Sequence, residues 1–373
     1  VIPDFSYVER NNDRIRGIVV THGHEDHIGG LPFLLKSVNL PIYGTRLTLG
    51  LISSKLREHN LLNRAKLIEV QPGGHIQFGC MDVELIHVNH ELGRQGVLAL
   101  MADSTNAERP GYTMTEHKLN SSFETLFQRA ENSRIIIASF ASNISRIQLI
   151  INCALHYGRK VAFSGRSMIN YVTIAQELGY LDVPEGVIID IDLLNRYPKE
   201  KVVLITTGSQ GEPLSALSRM ANSDHRKVEV GPGDFIIISA NPIPGNEKHV
   251  TRVINDLLKL GAEVVSKSMY EVHVSGHACQ NELKLLMSLV QPKFFIPIHG
   301  EYKHLSEHAA LAREIGIEPD HILLTDLGQV VELTPDSMAV TGTVEAGRVF
   351  VDGYGVGDVG SIVLRDRKHL AQD

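Results

Sequence analysis

Short apolar runs rich in β-branched residues alternate along nearly the whole chain with stretches in which apolar positions recur every three to four residues. Buried strands produce the first pattern and amphipathic helices the second, so the alternation predicts layered α/β structure and not a helical bundle or an all-β sandwich. The clearest strands are expected at residues 18–20, 134–140, 160–163, 202–206, 235–239 and 294–298. Ser121 and Glu124 have capping-box spacing, and Phe123, Leu126, Phe127 and Ala130 follow on one face, which predicts a helix over 121–130. Val250, Val253, Ile254 and Leu257 repeat that spacing over 246–260, with Gly261 as the stop.

Turn-forming clusters at 108–112 and near 266–274 bracket a βαβα series that looks complete in itself, as expected of one domain inserted into the chain of another. Inside it, Gly231-Pro232-Gly233 and the segment 241–245 read as βα loops of a Rossmann-like sheet. The 373 residues suit two or three domains at roughly 100–200 residues each, and 43% hydrophobic residues exclude general disorder. No apolar run approaches the roughly 20 residues that span a bilayer, and the start at Val1 lacks signal-peptide features, so a soluble, cytoplasmic protein without a membrane partner is expected.

Three widely spaced cysteines argue against a disulfide framework and against a cysteine-based zinc site, which leaves metal chemistry to the histidines and carboxylates. The strongest signal of that kind is the segment 21–27, Thr-His-Gly-His-Glu-Asp-His, directly after the strand at 18–20. His22, His24, Asp26 and His27 put four potential ligands into six residues. Nitrogen and oxygen donors suit Zn²⁺ or Mn²⁺, and a tight loop at a strand end aims alternate side chains at two ions that together activate water. A histidine-rich surface loop without metal is the bland alternative.

This motif resembles the signature of the metallo-β-lactamase superfamily. The segments 102–111 (Ala-Asp-Ser-Thr-Asn-Ala-Glu-Arg-Pro-Gly), 273–278 (His-Val-Ser-Gly-His-Ala) and 297–301 (Pro-Ile-His-Gly-Glu) resemble the A, B and C motifs of its β-CASP nucleases. With 140–143 (Phe-Ala-Ser-Asn), 207–211 (Thr-Gly-Ser-Gln-Gly) and 241–246 (Asn-Pro-Ile-Pro-Gly-Asn), the similarity narrows to the bacterial ribonuclease J family and spans essentially the whole chain. It implies an αββα metallo-β-lactamase sandwich from residues 1–117 and 282–373, with a Rossmann-like β-CASP domain at 118–281. It further implies a metal-dependent ribonuclease acting 5′→3′ and endonucleolytically on single-stranded RNA, with a preference for 5′-monophosphate ends, in mRNA decay and rRNA maturation. A homodimer or homotetramer, with or without a paralogous subunit, goes with that family.

By the same resemblance His22, His24 and His90 hold one Zn²⁺, and Asp26, His27 and His299 hold the other, with Mn²⁺ as the alternative metal. Asp26 also counts among the catalytic residues. His277 is the expected general acid, oriented by the carboxylate of Asp103, although on its residue type alone it could equally be a satisfied core histidine. A pocket for a 5′-monophosphate or the adjacent nucleotide is expected from Ser142, Asn143 and Ile144 together with His273, Val274, Ser275, Gly276 and His277. Ser142 and Asn143 can equally cap a helix starting near Ile144. Arg146, Arg166 and Ser167 either line the RNA path or are solvated surface. Asp352, in a loop resembling the family's structural Ca²⁺ loop, is a further candidate, although its expected partners would precede Val1.

The chain departs from the family pattern after His90, which is followed at once by Glu91. The strands that carry a bridging aspartate do not appear there, nor do the family's first strands and its C-terminal domain; either they are deleted or, as the cost of losing core strands favours, the natural chain carries them. Two other readings stay open: a non-catalytic RNA-binding or partner subunit of a ribonuclease complex, and a small-molecule hydrolase on the same scaffold. The net charge of −7 argues against a broad basic RNA-binding face. The acidity falls mainly outside residues 118–281, however, so recognition through a confined site remains compatible with it.

Overall fold

The computed structural model describes residues 2–85, 97–243, 245–266, 270–349, 351–352 and 355–356. The chain divides into two units, one formed by Val1–Tyr112 with His277–Asp373 and the other by Thr113–Gly276. The edges expected at 117/118 and 281/282 are each displaced by a few residues, because they fall within the helices His117–Arg129 and Gln280–Val290. Connections between elements, not helix interiors, are where few contacts cross.

The unit Thr113–Gly276 is built on a parallel sheet of five strands, in the order Glu263–Val265, Asp234–Ile238, Arg134–Ala138, Val202–Thr206 and Lys160–Ser164. Side chains alternate between faces along a strand. Ile135, Ile137, Val203, Ile205, Phe235 and Ile237 accordingly share a core with Phe123, Phe127, Ile147, Ile150, Met168 and Val172 of three helices. Ile136, Leu204, Ile236 and Ile238 face a second core with Leu217, Met220, Val253 and Leu257. Strands buried on both faces read as continuous apolar runs, which is why they were legible as strands. The first strand of the series lies inside the sheet and later strands add on either side of it, so the order reverses at Arg134–Ala138. Ligands of open α/β sheets bind beyond the carboxyl ends of the strands at such a point.

Two helix starts show how local signals fare. The helix expected from Ser121 begins four residues earlier at His117. Leu119 is fully buried and extends the stripe of Phe123, Leu126 and Phe127 by one turn, so Ser121 is interior and its hydroxyl donates to the Lys118 carbonyl at 3.1 Å instead of capping. The helix Glu247–Lys259 does run as the spacing predicts, and Gly261 just beyond it has φ +87°.

In the other unit, Ile18–Val20, Ile42–Gly44 and Leu67–Glu69 form a parallel three-stranded sheet. Val97–Asp103 pairs in parallel with Pro292–Ile298. Helices Leu31–Ser37, Arg46–Glu58, Gln280–Val290 and Tyr302–Glu314 bury Leu34, Ile52, Leu56, Leu283 and Leu311. No helix among the described residues is long and apolar enough to cross a membrane.

Candidate metal centre and substrate-binding segments

The histidine-rich loop leaves the carboxyl end of Ile18–Val20 and enters the short helix Glu25–Ile28, whose turn folds His27 back over His22. The ring centroids of His22 and His27 are 4.1 Å apart, and those of His22 and His24 are 4.6 Å apart. Burial pushes the pKa values of His22 and His24 down, and their like-charged neighbours add to this for His22. Both imidazoles are thereby kept neutral, the form in which a histidine ligates a metal.

The parallel register sets Asp103 opposite Ile298, so His299 emerges one residue beyond its pairing partner. His299 has φ +56°, an uncommon conformation for a side chain with a Cβ. Its backbone is held by Ser104, whose N–H donates to the His299 carbonyl at 3.3 Å, and by Thr105, whose hydroxyl reaches the same carbonyl at 3.3 Å. Strain of this kind persists where surrounding bonds over-determine it, and functional sites are where it collects.

His299 stands between two carboxylates. Its Nδ1 lies 2.7 Å from Asp103 Oδ2 and 2.9 Å from Thr105 Oγ1, and its Nε2 lies 3.4 Å from Asp26 Oδ2. Asp26 Oδ2 is also 3.4 Å from His27 Nε2. On the other side, Asp103 Oδ2 is 3.0 Å from His277 Nδ1, while Asp103 Oδ1 accepts the Thr105 N–H at 2.9 Å. Burial works to raise the Asp103 pKa, but the His277 and Thr105 hydrogen bonds and the histidine charges outweigh it and hold the carboxyl at about 2. The same Asp103 hydrogen bond raises His277 against the effect of burial.

Two groups offer donor atoms within 4.8 Å of one another: Asp26, His27 and His299, and Asp103, His277 and His299. Imidazole and carboxylate donors at this separation fit a divalent ion of the zinc or manganese class. Of the expected ligands, Asp26, His27 and His299 form one of these groups; His22 and His24 belong to neither group among the described residues, although the His22 ring lies 4.1 Å from that of His27 and 4.6 Å from that of His24, and His90 lies outside the described residues. Thr105 was not anticipated as a partner of His299, although it stands in the Asp-Ser-Thr-Asn segment that drew attention to Asp103.

The expected substrate-binding segments lie in the unit Thr113–Gly276, apart from His277, which opens the second part of the other unit. Ser142 and Asn143 follow the central strand Arg134–Ala138 and precede the helix Ile144–His156, at the point where the strand order reverses. Asn143 caps that helix by accepting the Arg146 N–H on Oδ1 at 3.0 Å. His273 to Gly276 form an irregular segment in which Val274 is buried and Gly276 exposed, and the His273 ring lies 6.3 Å from that of Phe140. Arg166 and Ser167 are exposed at the start of the helix Arg166–Glu177. Arg146 is fully buried, which corrects its reading as a residue lining an RNA path or solvated surface. Asp352 belongs to a short strand paired with Gly355–Val356.

Comparisons with known proteins cover the whole chain. The profile of the ribonuclease J β-CASP domain matches residues 132–257, that of the Zn-dependent metallo-hydrolase RNA specificity domain 261–322, and that of the β-lactamase superfamily domain 4–123. Ribonuclease J 1 of Streptococcus pyogenes is 41% identical over 413 residues, an alignment that takes in 100% of this chain and 74% of the relative. Ribonuclease J2 of Bacillus subtilis is 37% identical over 414 residues, with the same coverage. Ribonuclease J of Thermus thermophilus is 40% identical over 421 residues, covering 100% and 73%. A solved structure from Enterococcus faecalis, described as a protein of unknown function, superposes with a TM-score of 0.55 at 15% identity over 83% of this chain and 79% of its own, a likeness of fold alone. The architecture is a metallo-β-lactamase domain that carries a β-CASP insertion.

Proposed function

The chain belongs to the ribonuclease J family of metal-dependent hydrolases, and from that premise we propose that it cleaves single-stranded RNA as a 5′→3′ exonuclease with endonuclease activity, preferring 5′-monophosphate ends. Its place would be in mRNA decay and rRNA maturation in the cytoplasm, as a homodimer or homotetramer or together with a paralogous subunit. The observation that carries the reading is the chain of side chains His277, Asp103, His299 and Asp26, in which each carboxylate meets an imidazole.

In this reading Asp26, His27 and His299 hold one Zn²⁺ and His22, His24 and His90 the other, with Mn²⁺ as the alternative. Bound ions supply Lewis acidity and positive charge at the scissile phosphate. The residues of the chain do the rest. Asp103 and Thr105 engage His299 Nδ1, which leaves its Nε2 on the Asp26 side as the donor atom. Asp103 likewise engages His277 Nδ1, so the proton available to a leaving 3′ oxygen sits on Nε2. Ser142, Asn143, Ile144 and His273 to His277 take the 5′ phosphate or the adjacent nucleotide, helped by the positive end of the helix Ile144–His156.

Two measurements test the assignment. His277→Ala is expected to keep its metal while turnover on 5′-monophosphorylated RNA drops roughly 10²–10⁴-fold, the range of a lost general acid. Unchanged turnover removes His277 from the mechanism. His24→Ala is expected to lower the zinc content found by elemental analysis, and full occupancy would overturn the ligand assignment.

A further inference from the structure

Arg146 has no exposed surface, although guanidinium groups are almost never fully buried without partners. It sits in the first turn of the helix Ile144–His156, immediately after the segment Ser142–Asn143. Its Nε and Nη2 donate to the two carboxylate oxygens of Glu116 at 2.9 and 2.8 Å. Its Nη1 donates to Ser239 Oγ at 2.7 Å and to the Val272 carbonyl at 3.1 Å. Ser239 Oγ in turn donates to that same carbonyl at 2.6 Å. One planar fork therefore ties together four places in the unit Thr113–Gly276: residue 116, the helix start, the end of the strand Asp234–Ile238, and the residue directly before His273.

Stability alone does not call for this construction. The guanidinium of Arg146 must be fully desolvated to make the pair, whereas the Glu116 side chain keeps 36% of its surface in solvent, so the cost of burying the arginine offsets much of what the pair contributes. What the fork supplies is direction, since its donors are fixed in one plane and a lysine ammonium has no such geometry. The directions are set on both sides of the segments read above as phosphate-binding: the Asn143 cap accepts from the Arg146 backbone N–H, and the Val272 carbonyl accepts from the Arg146 side chain.

We propose that Arg146 is a positioning residue for RNA recognition, which fixes the segment 142–144 relative to the segment 273–276 and so sets the affinity for the 5′-terminal phosphate. The proposal rests on the assignment of those two segments to the RNA.

The test is steady-state kinetics on 5′-monophosphorylated single-stranded RNA with the metal-loaded full chain, accompanied by metal content and melting temperature. Arg146→Lys is expected to raise KM about tenfold or more while kcat and metal content stay near wild type, as befits a small displacement of binding groups. The double variant Arg146→Met with Glu116→Leu removes both charges and keeps the test valid if the lysine variant folds poorly. It is expected to show the raised KM, with its melting temperature measured beside it. A double variant with wild-type stability and wild-type KM would overturn the proposal, since Arg146 would then matter for folding only. Ser142→Ala and His273→Ala separate the two layers of the argument. If they raise KM and the Arg146 variants do not, positioning fails and the binding assignment stands. If they leave KM unchanged, the binding assignment fails and the proposal falls with it.

Discussion

His308 shows what a single buried imidazole costs the fold. It lies in the helix Tyr302–Glu314 with no exposed surface, its Nδ1 3.0 Å from Ser104 Oγ and its ring edge-on to Phe295 at 4.7 Å. Among the described residues its buried Nε2 has no hydrogen-bond partner. Burial pushes its pKa down to about 4, with the charge of Asp103 opposing. The unfolded chain, with an ordinary value of about 6.5, therefore takes up a proton first as the pH falls. The stability that depends on neutral His308 is complete above about pH 6.5 and is lost toward pH 4, at up to about 1.4 kcal/mol per pH unit. Urea unfolding is expected to show a lower midpoint at pH 5 than at pH 7, and His308→Gln is expected to remove part of that difference. An equal pH dependence in the variant would show that the linkage lies elsewhere. The sequence made Asp103 and His299 visible because both stand at strand ends inside recognisable motifs. It concealed the bond between Ser104 and His308, because no local spacing encodes a contact across 204 positions. Arg146 was ambiguous for a related reason: an arginine at a helix start reads as surface until Glu116, Ser239 and Val272 close around it.

At the level of elements, the central strand of the five-stranded sheet and one of its two neighbours are fastened at their amino ends by Arg134 and Asp234. Arg134 Nε and Nη2 donate to Asp234 Oδ1 and Oδ2 at 2.9 and 2.8 Å, and Nη2 also reaches the Glu229 carbonyl at 2.6 Å. Asp234 Oδ2 accepts the Gly231 N–H at 2.9 Å, which fixes the turn leading into its strand. Both residues are buried, so removing Asp234 strands the charge of Arg134, whereas Asp234 also has Lys199 Nζ at 3.6 Å. Asp234→Ala is expected to lose about 3–5 kcal/mol in urea denaturation, and adding Arg134→Met is expected to recover much of it. A double variant as unstable as the single would show that the loss came from the turn and not from the unpaired arginine. The strands themselves were legible because burial on both faces demands unbroken runs such as Arg134–Ala138 and Val202–Thr206. Boundaries were less legible. The run ending at Phe140 looked continuous, but only residues through Ala138 pair on both sides, and Ser139 to Asn143 turn toward the helix. The Ser121 capping box was a sound local pattern overruled by the burial of Leu119 one turn earlier.

For the whole molecule, the question left by the composition is how a chain of net charge −7 recognises a polyanion. Its acidic and basic residues are nearly balanced across the inserted β-CASP unit, and the excess acid lies in the metallo-β-lactamase part, where bound cations would offset some of it. If the RNA is held as proposed, long-range attraction to its backbone is weak and affinity comes from a few phosphates at fixed positions. That balance has a measurable signature. Each phosphate neutralised on a single strand contributes a slope of about −0.7 to the plot of log affinity against log salt. A pocket engaging two or three phosphates gives a slope of roughly −1 to −2, whereas a continuous basic track gives one several times steeper. Fluorescence anisotropy with 5′-monophosphorylated single-stranded RNA and metal-loaded protein, from about 50 to about 200 mM salt, is expected to return the shallow value. If the 5′ phosphate is bound as proposed, removing it is expected to weaken binding while changing the slope by no more than about one, since the other phosphate contacts stay in place. A slope steeper than about −5 would mean that many phosphates are neutralised along an extended surface, and recognition by a confined site would have to be abandoned.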